Sequence, residues 1–205
     1  MNRPIIAAAA AIVGACALGA CGGHPNTVED RTPSMRSDLA ADRAAGLAAF
    51  ETVRGVLQHP RCQNCHAPGD APLSGNDGHV HDQHVLRGPT GHGTAGAECS
   101  TCHGPSNPRS AFGMDAAPGK PRVWRMPPPG AFIFVGRTPH ALCEQLLNPE
   151  LNGHKDMVAL RNHIEAPLVS WGWAPGFGLA PVSTPRDRYI AAWDTWMAAG
   201  APCPN

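Results

Sequence analysis

The sequence has no excess of charge of either sign. Lys and Arg number 16 and Asp and Glu number 16, so the formal net charge is zero, with a pI near 7.2. A nucleic-acid partner calls for a clustered basic surface, and none is expected here. Charged residues make up only 16% of the chain, which leaves little material for a solvated charged face. After the first twenty residues no apolar run is long enough to span a bilayer. No stretch alternates apolar and polar residues for long enough to predict a sheet, and residues 132–135 are the single, short strand candidate. No nucleophile–base set and no framed pair of carboxylates stands out, which weighs against a hydrolytic or acid–base enzyme. What is abundant is Gly, with 23 residues, and Pro, with 22. Those contents predict long irregular segments, which need something besides a large apolar core to order them; a large apolar cofactor meets that need.

The first residues read as a targeting segment. Arg3 supplies a positive start and an apolar stretch follows from Ile5 to Leu18. Leu18-Gly19-Ala20-Cys21 then matches a lipobox, which predicts cleavage before Cys21 and acylation of that cysteine. Cys16, after Val13-Gly14-Ala15, is a rival position that would leave a very short apolar stretch. An ordinary secretory signal cut nearby is the simpler alternative. A triacylated cysteine holds enough acyl chain for stable anchoring. Gly22 rather than Asp follows it, so nothing marks the chain for inner-membrane retention. The organisation expected is a lipoprotein signal over residues 1–20, a polar tether over 21–37 with Pro25 and Pro33, and one domain over 38–205. The expected location is the cell envelope, lipid-anchored, periplasm-facing and on the outer membrane.

Four helices are predicted. Residues 38–58 place Leu39, Leu47, Phe50, Val53 and Leu57 at helical spacing, with Ser37 as N-cap and His59-Pro60 as the stop. Residues 139–147 follow Thr138 as N-cap and carry Pro139 at the first helical position. Residues 155–165 carry Met157, Leu160 and Ile164 on one face. Residues 186–199 follow a Thr184-x-x-Asp187 box, end at Gly200, and bury Tyr189, Ile190, Trp193 and Met197. Gly/Pro-rich loops over 68–96, 105–130 and 166–181 separate them. The fold class expected is mainly α, with short helices, long loops and little or no sheet.

Two motifs carry the chemistry. Cys62-Gln63-Asn64-Cys65-His66 and Cys99-Ser100-Thr101-Cys102-His103 share the pattern Cys-x-x-Cys-His, 37 residues apart. Two thiols three residues apart match the two vinyl groups of a porphyrin, each of which forms a thioether. The next residue, a histidine, then lies beside the iron as its proximal ligand. A zinc half-site or a redox dithiol is the competing reading of one such motif, but two in an exported chain point to two haems c. The remaining cysteines fit this reading. Of the eight, Cys16 leaves with the signal, Cys21 takes the lipid, and four bind haem. Cys143 and Cys203 remain, and an oxidising compartment predicts that they form a disulfide.

The distal ligands are open at this point. Histidines at 79, 81, 84, 92, 140, 154 and 163 are available, and Met126 in Trp124-Arg125-Met126-Pro127-Pro128 is the sulfur candidate. The 37-residue spacing is too short for two tandem single-haem cytochrome domains, so closely packed haems sharing one wall are expected. Trp171, Trp173, Trp193 and Trp196 are expected to pack against haem edges.

Further segments carry a resemblance. Cys62-x-x-Cys65-His66-Ala67-Pro68-Gly69-Asp70, His81-x-x-x-Val85-x-Arg87-Gly88, Leu142-Cys143-x-Gln145-Leu146, Leu160-x-x-His163, Leu168-Val169-x-Trp171-Gly172-Trp173-x-Pro175-Gly176 and Gly200-Ala201-x-Cys203-Pro204 resemble a group of bacterial di-haem c-type proteins. Some of these are labelled as subunits of isoquinoline 1-oxidoreductase, a molybdenum hydroxylase. The likeness runs from about Cys62 to Pro204, and Trp-Gly-Trp-x-Pro-Gly is its most specific part. It implies a cytochrome c-like domain organised around haem, and it favours His81 and His163 as distal ligands. Trp124-Arg125-Met126 stands where the group tends to have Trp-His-Leu, and Met126 stays the alternative ligand.

The function expected is electron transfer by two covalent haems, with redox proteins as partners and an oxidoreductase such as a molybdenum hydroxylase as donor. A di-haem enzyme of peroxidase type is the alternative; the known ones are far longer chains. A haem-based sensor would need an output domain that the sequence lacks.

Overall fold

The computed structural model describes residues 28–103, 124–176 and 178–205, with side chains from residue 35 onward. Cys16, Cys21, the signal segment and most of loop 105–130 lie outside the described residues. The chain divides into two units, Met1–Ser37 and Asp38–Asn205, and the sites below belong to the second.

Helix α1 (Val28–Leu57) starts ten residues before the expected position, so residues 28–37 are helical where a tether was expected. Apart from Pro33 this run holds no helix breaker, and one proline near a helix start removes a single backbone donor. Helix α1 ends where Pro60 opens the short helix α2 (Pro60–Gln63), whose N-cap His59 accepts the Arg61 N–H through its side chain.

Two two-residue antiparallel pairs follow, β1 (Leu73–Ser74) with β2 (His79–Val80) and β3 (Gly93–Thr94) with β4 (Ala97–Glu98). Helix α3 (Cys99–Cys102) continues directly from β4. The larger helices are α4 (Pro139–Leu147), α5 (Met157–Ile164) and α7 (Arg186–Ala198), with α6 (Pro167–Ser170) and one 3₁₀ turn (Trp171–Trp173) between the last two. The architecture is therefore mainly α, with no closed sheet among the described residues.

The caps show what sequence reasoning reached. Thr138 caps α4 as expected, its hydroxyl oxygen accepting the Ala141 N–H at 3.1 Å. The cap of α5 is Asp156, not anticipated, which accepts the Ala159 N–H at 2.7 Å. The Thr184–Asp187 box does not form. Pro185 occupies the N-cap position without a side-chain bond. The Thr184 carbonyl instead accepts the Trp173 indole N–H at 2.6 Å, and Asp187 accepts the Arg188 N–H.

The core joins α1, α4, α5 and α7. Phe50, Val53 and Val56 pack with Leu142, Leu146, Leu160, Tyr189, Trp193 and Trp196, all 2% exposed or less. Phe50 and Trp196 rings lie 5.2 Å apart, and the Trp196 N–H donates to the Pro202 carbonyl at 3.1 Å. Cys143 and Cys203 form a disulfide with Cα atoms 5.5 Å apart, tying α4 to the C-terminal tail.

Residues 132–135 are not a strand. Phe132 has a φ of 53°, which no strand accommodates. The buried amide of Gln145 pairs with Ile133 as a strand neighbour would. Its oxygen accepts the Ile133 N–H at 3.0 Å, and its NH₂ donates to the Ile133 carbonyl at 2.9 Å. Buried Asn152 closes the next loop in the same way, donating to the Leu146 and Lys155 carbonyls and accepting the Lys155 N–H.

Candidate functional site

Both Cys-x-x-Cys-His motifs fold as one helical turn. In the first, the Cys65 and His66 N–H groups donate to the Cys62 carbonyl at 3.3 and 3.1 Å. In the second, the His103 N–H donates to the Cys99 carbonyl at 2.9 Å. Each turn sets two thiols on one side and places the histidine immediately after them. The Cys62 thiol is pushed up to about 12 by burial, then by Cys65, against the pull of Arg61. The Cys65 thiol is pushed up to about 11 by burial, then by Cys99, again opposed by Arg61. Burial also raises Cys99. By accessible surface Cys62 and Cys65 are only half-buried, because both border a cavity. Such thiols are protonated at neutral pH, the opposite of the low-pKa thiolate of a redox dithiol.

The cavity measures about 360 Å³, within the range of small-molecule and cofactor sites. Leu57, Phe132, Phe134, Leu160, Ile164 and Val169 make much of its wall apolar. Cys62, Cys65 and His66 line it, and so do both distal candidates, Met126 and His163. The His66 ring is tightly held. Its Nδ1–H donates to the Phe132 carbonyl at 2.7 Å, and the ring stacks on Phe134 with centroids 4.0 Å apart and planes 7° apart. That bond leaves Nε2 as the ring's unprotonated nitrogen. Burial pushes His66 down to about 3, opposed by the Phe132 bond and reinforced by His163 and Arg87. The ring is therefore a neutral donor held in one tautomer, as metal-ligating histidines are held.

Met126 is 5% exposed on a segment fixed from both sides. Its N–H donates to the Gly91 carbonyl at 2.9 Å, and Gly91, with φ of 82°, would push a Cβ to 2.5 Å from the Met126 oxygen. Only glycine fits there. The buried Arg87 donates to the Pro127 carbonyl and, at 2.6 Å, to the Gly69 carbonyl, joining this segment to the loop after the first motif. His163 is held below its ordinary value by burial, then by Lys155 and Arg125.

At the second motif, His103 stacks on Trp124 with centroids 4.1 Å apart. The His81 ring faces His103 at a centroid distance of 6.2 Å and an angle of 75°. His81 is lowered mainly by burial, and its Nδ1 receives the Gln83 N–H in a long 3.4 Å contact. Trp124 in turn meets Trp171 of the first cavity at 5.0 Å, edge to face.

Other histidines have different engagements. His79 bonds Asp77 at 2.6 Å, His92 the Trp124 carbonyl at 3.1 Å, and His140 the Pro204 carbonyl at 2.7 Å. His154 is exposed beside Glu150. Of the four tryptophans expected around a cofactor, Trp171 and Trp193 line the cavity, whereas Trp173 and Trp196 pack in the core. Phe134 is not singled out in the sequence, and Trp124 and Arg87 stand there within quoted segments but with no role at the site, because no spacing links them to either motif. Compared with models of protein families, with curated proteins and with solved structures, the chain matches none.

Proposed function

We propose that the chain is an electron-transfer protein of the cell envelope carrying two covalent haems c, one on Cys62 and Cys65 with His66, the other on Cys99 and Cys102 with His103. The observation that carries this reading is the first site. An apolar cavity borders two protonated thiols one turn apart, and the adjoining imidazole is neutral, locked by the Phe132 carbonyl, and has Nε2 available. That donor set suits a thioether-linked, histidine-ligated haem better than zinc, since among the described residues no three His, Cys, Asp or Glu side chains are placed so that they could hold a metal ion. Bound haem supplies reversible one-electron iron chemistry.

The chain's own residues hold the groups and tune them. His81 is proposed as the distal ligand of the second haem. The His81 and His103 ring centroids stand 6.2 Å apart, so the two imidazoles would be close enough to hold one iron between them. His163 is proposed for the first haem, with Met126 on the same cavity as the alternative. With His81 and His163 as second ligands, neither iron would have a position free for a substrate, and a carrier would then be favoured over a peroxidase. Redox proteins, among them a molybdenum hydroxylase as electron donor, are the proposed partners, and an acylated Cys21 the proposed attachment to the membrane.

The test is expression in a host that matures c-type cytochromes, followed by a denaturing gel stained for haem and by mass spectrometry. The expected gain is about 1.2 kDa for two haems, lost in part when either cysteine pair is changed to alanine. An unstained band of unchanged mass would end this reading.

A further inference from the structure

The cavity is lined by three cations, Arg61, Arg125 and Lys155, and by no carboxylate. Arg61 is the unusual one. It is 5% exposed, and among the described residues it has no acidic partner. Its Nη2 is occupied by the Gly75 carbonyl and the Asn76 side-chain oxygen, but its Nε is buried without a hydrogen-bond partner. The guanidinium lies 5.7 Å from the Trp171 ring centre, and the Trp171 Nε1–H is also buried and unpartnered. Both residues line the cavity. A buried guanidinium without a counter-charge is strongly disfavoured, and a buried N–H without an acceptor adds to that cost. Two such orphans side by side are a site for an anion with two acceptor oxygens.

We propose that Arg61 and Trp171 together bind one propionate carboxylate of the haem attached at Cys62 and Cys65. The inference rests on the function proposed above. It assigns to the residue directly before the first motif the task of orienting the ring and compensating its charge. The guanidinium supplies a charge-assisted bond and the indole a neutral one, so the pair accepts an ionised carboxylate and selects against an uncharged edge. Arg125 is exposed and Lys155 half-buried, so neither needs an anion as Arg61 does. A positive charge beside the ring also disfavours the ferric state and raises that haem's potential.

The test uses the haem-loaded protein with ¹³C-labelled propionates, read by redox-difference infrared spectroscopy and potentiometry. Arg61→Gln is expected to shift the ¹³C-sensitive carboxylate bands and to lower one of the two midpoint potentials, leaving the other in place. Arg61→Lys keeps the charge and should return the potential toward the wild-type value. Bands and potentials unchanged in Arg61→Gln would overturn the assignment. Where that variant fails to accumulate, a crystal structure of the loaded wild-type protein decides. A propionate oxygen within hydrogen-bonding distance of Arg61 or Trp171 supports the assignment, and its absence from both removes it. A wild-type chain without haem removes the proposed function itself, which the stained gel reads separately.

Discussion

Gln145 offers a direct way to test how the fold prepares the first site. It is 1% exposed on α4, and both ends of its amide are bonded to the backbone of Ile133. Ile133 sits between Phe132, whose carbonyl holds His66, and Phe134, on which His66 stacks. Gln145→Leu conserves volume but leaves the Ile133 N–H and C=O without partners. Each such orphan costs about 1–3 kcal/mol, so the pair costs about 2–6 kcal/mol. The half-buried position of Ile133 points to the lower half of that range. With a urea slope of about 2 kcal/mol/M, the midpoint should fall by about 1–2 M. Equilibrium urea unfolding of the loaded protein measures this. The same substitution loosens the acceptor of His66, so one of the two haem potentials should move while the other stays. A midpoint within about 0.3 M of wild type, with both potentials unmoved, would show that Gln145 neither holds residues 132–134 nor supports His66.

His163→Ala is expected to leave one haem high-spin in the ferric state, whereas Met126→Ala leaves both low-spin; optical and paramagnetic-resonance spectra distinguish them, and the reverse pattern would transfer the ligand role to Met126. Reduction of the Cys143–Cys203 bridge, which spans 60 residues, should cost about 4 kcal/mol in the chain-entropy model, read as a lower urea midpoint with reductant present. Labelling of both thiols in unfolded, unreduced protein would refute the bridge. Cys21→Ala should release the protein from the membrane fraction or block its processing, because the acyl chains would be missing. Unchanged partitioning of a correctly cut variant would rule out that anchor.

Much of the helical framework was legible in the sequence because its signals are local. Thr138-Pro139 opens α4 and Asn148-Pro149 closes it, so both ends appear where capping and proline chemistry put them. Residues 28–37 went the other way, since polarity and Pro33 suggested part of a tether and the backbone is helical there. The strand expected at 132–135 failed for a different reason. Its apolar residues do need a backbone partner, but the partner is the side chain of Gln145, twelve residues on, and no periodicity reports that. Thr184 shows the same limit, because Pro185 takes the N-cap position and the Thr184 carbonyl accepts an indole N–H from Trp173, eleven residues away.

The sequence by itself placed two thiols and an imidazole within five residues, twice, which is the pattern the proposed haem attachment rests on. These are short-range facts, set by covalent spacing and by one turn of helix. Which groups face those motifs was decided only by the tertiary structure. His163 and Met126 reach the cavity of His66 from different parts of the chain, and His81 meets His103 across 22 residues. Arg61 is adjacent to Cys62 in sequence, yet its burial beside Trp171 and, among the described residues, its lack of an acidic partner come from the fold. Burial, tautomer and unpaired charge are properties of an environment assembled from distant segments, so no reading of neighbours along the chain contains them.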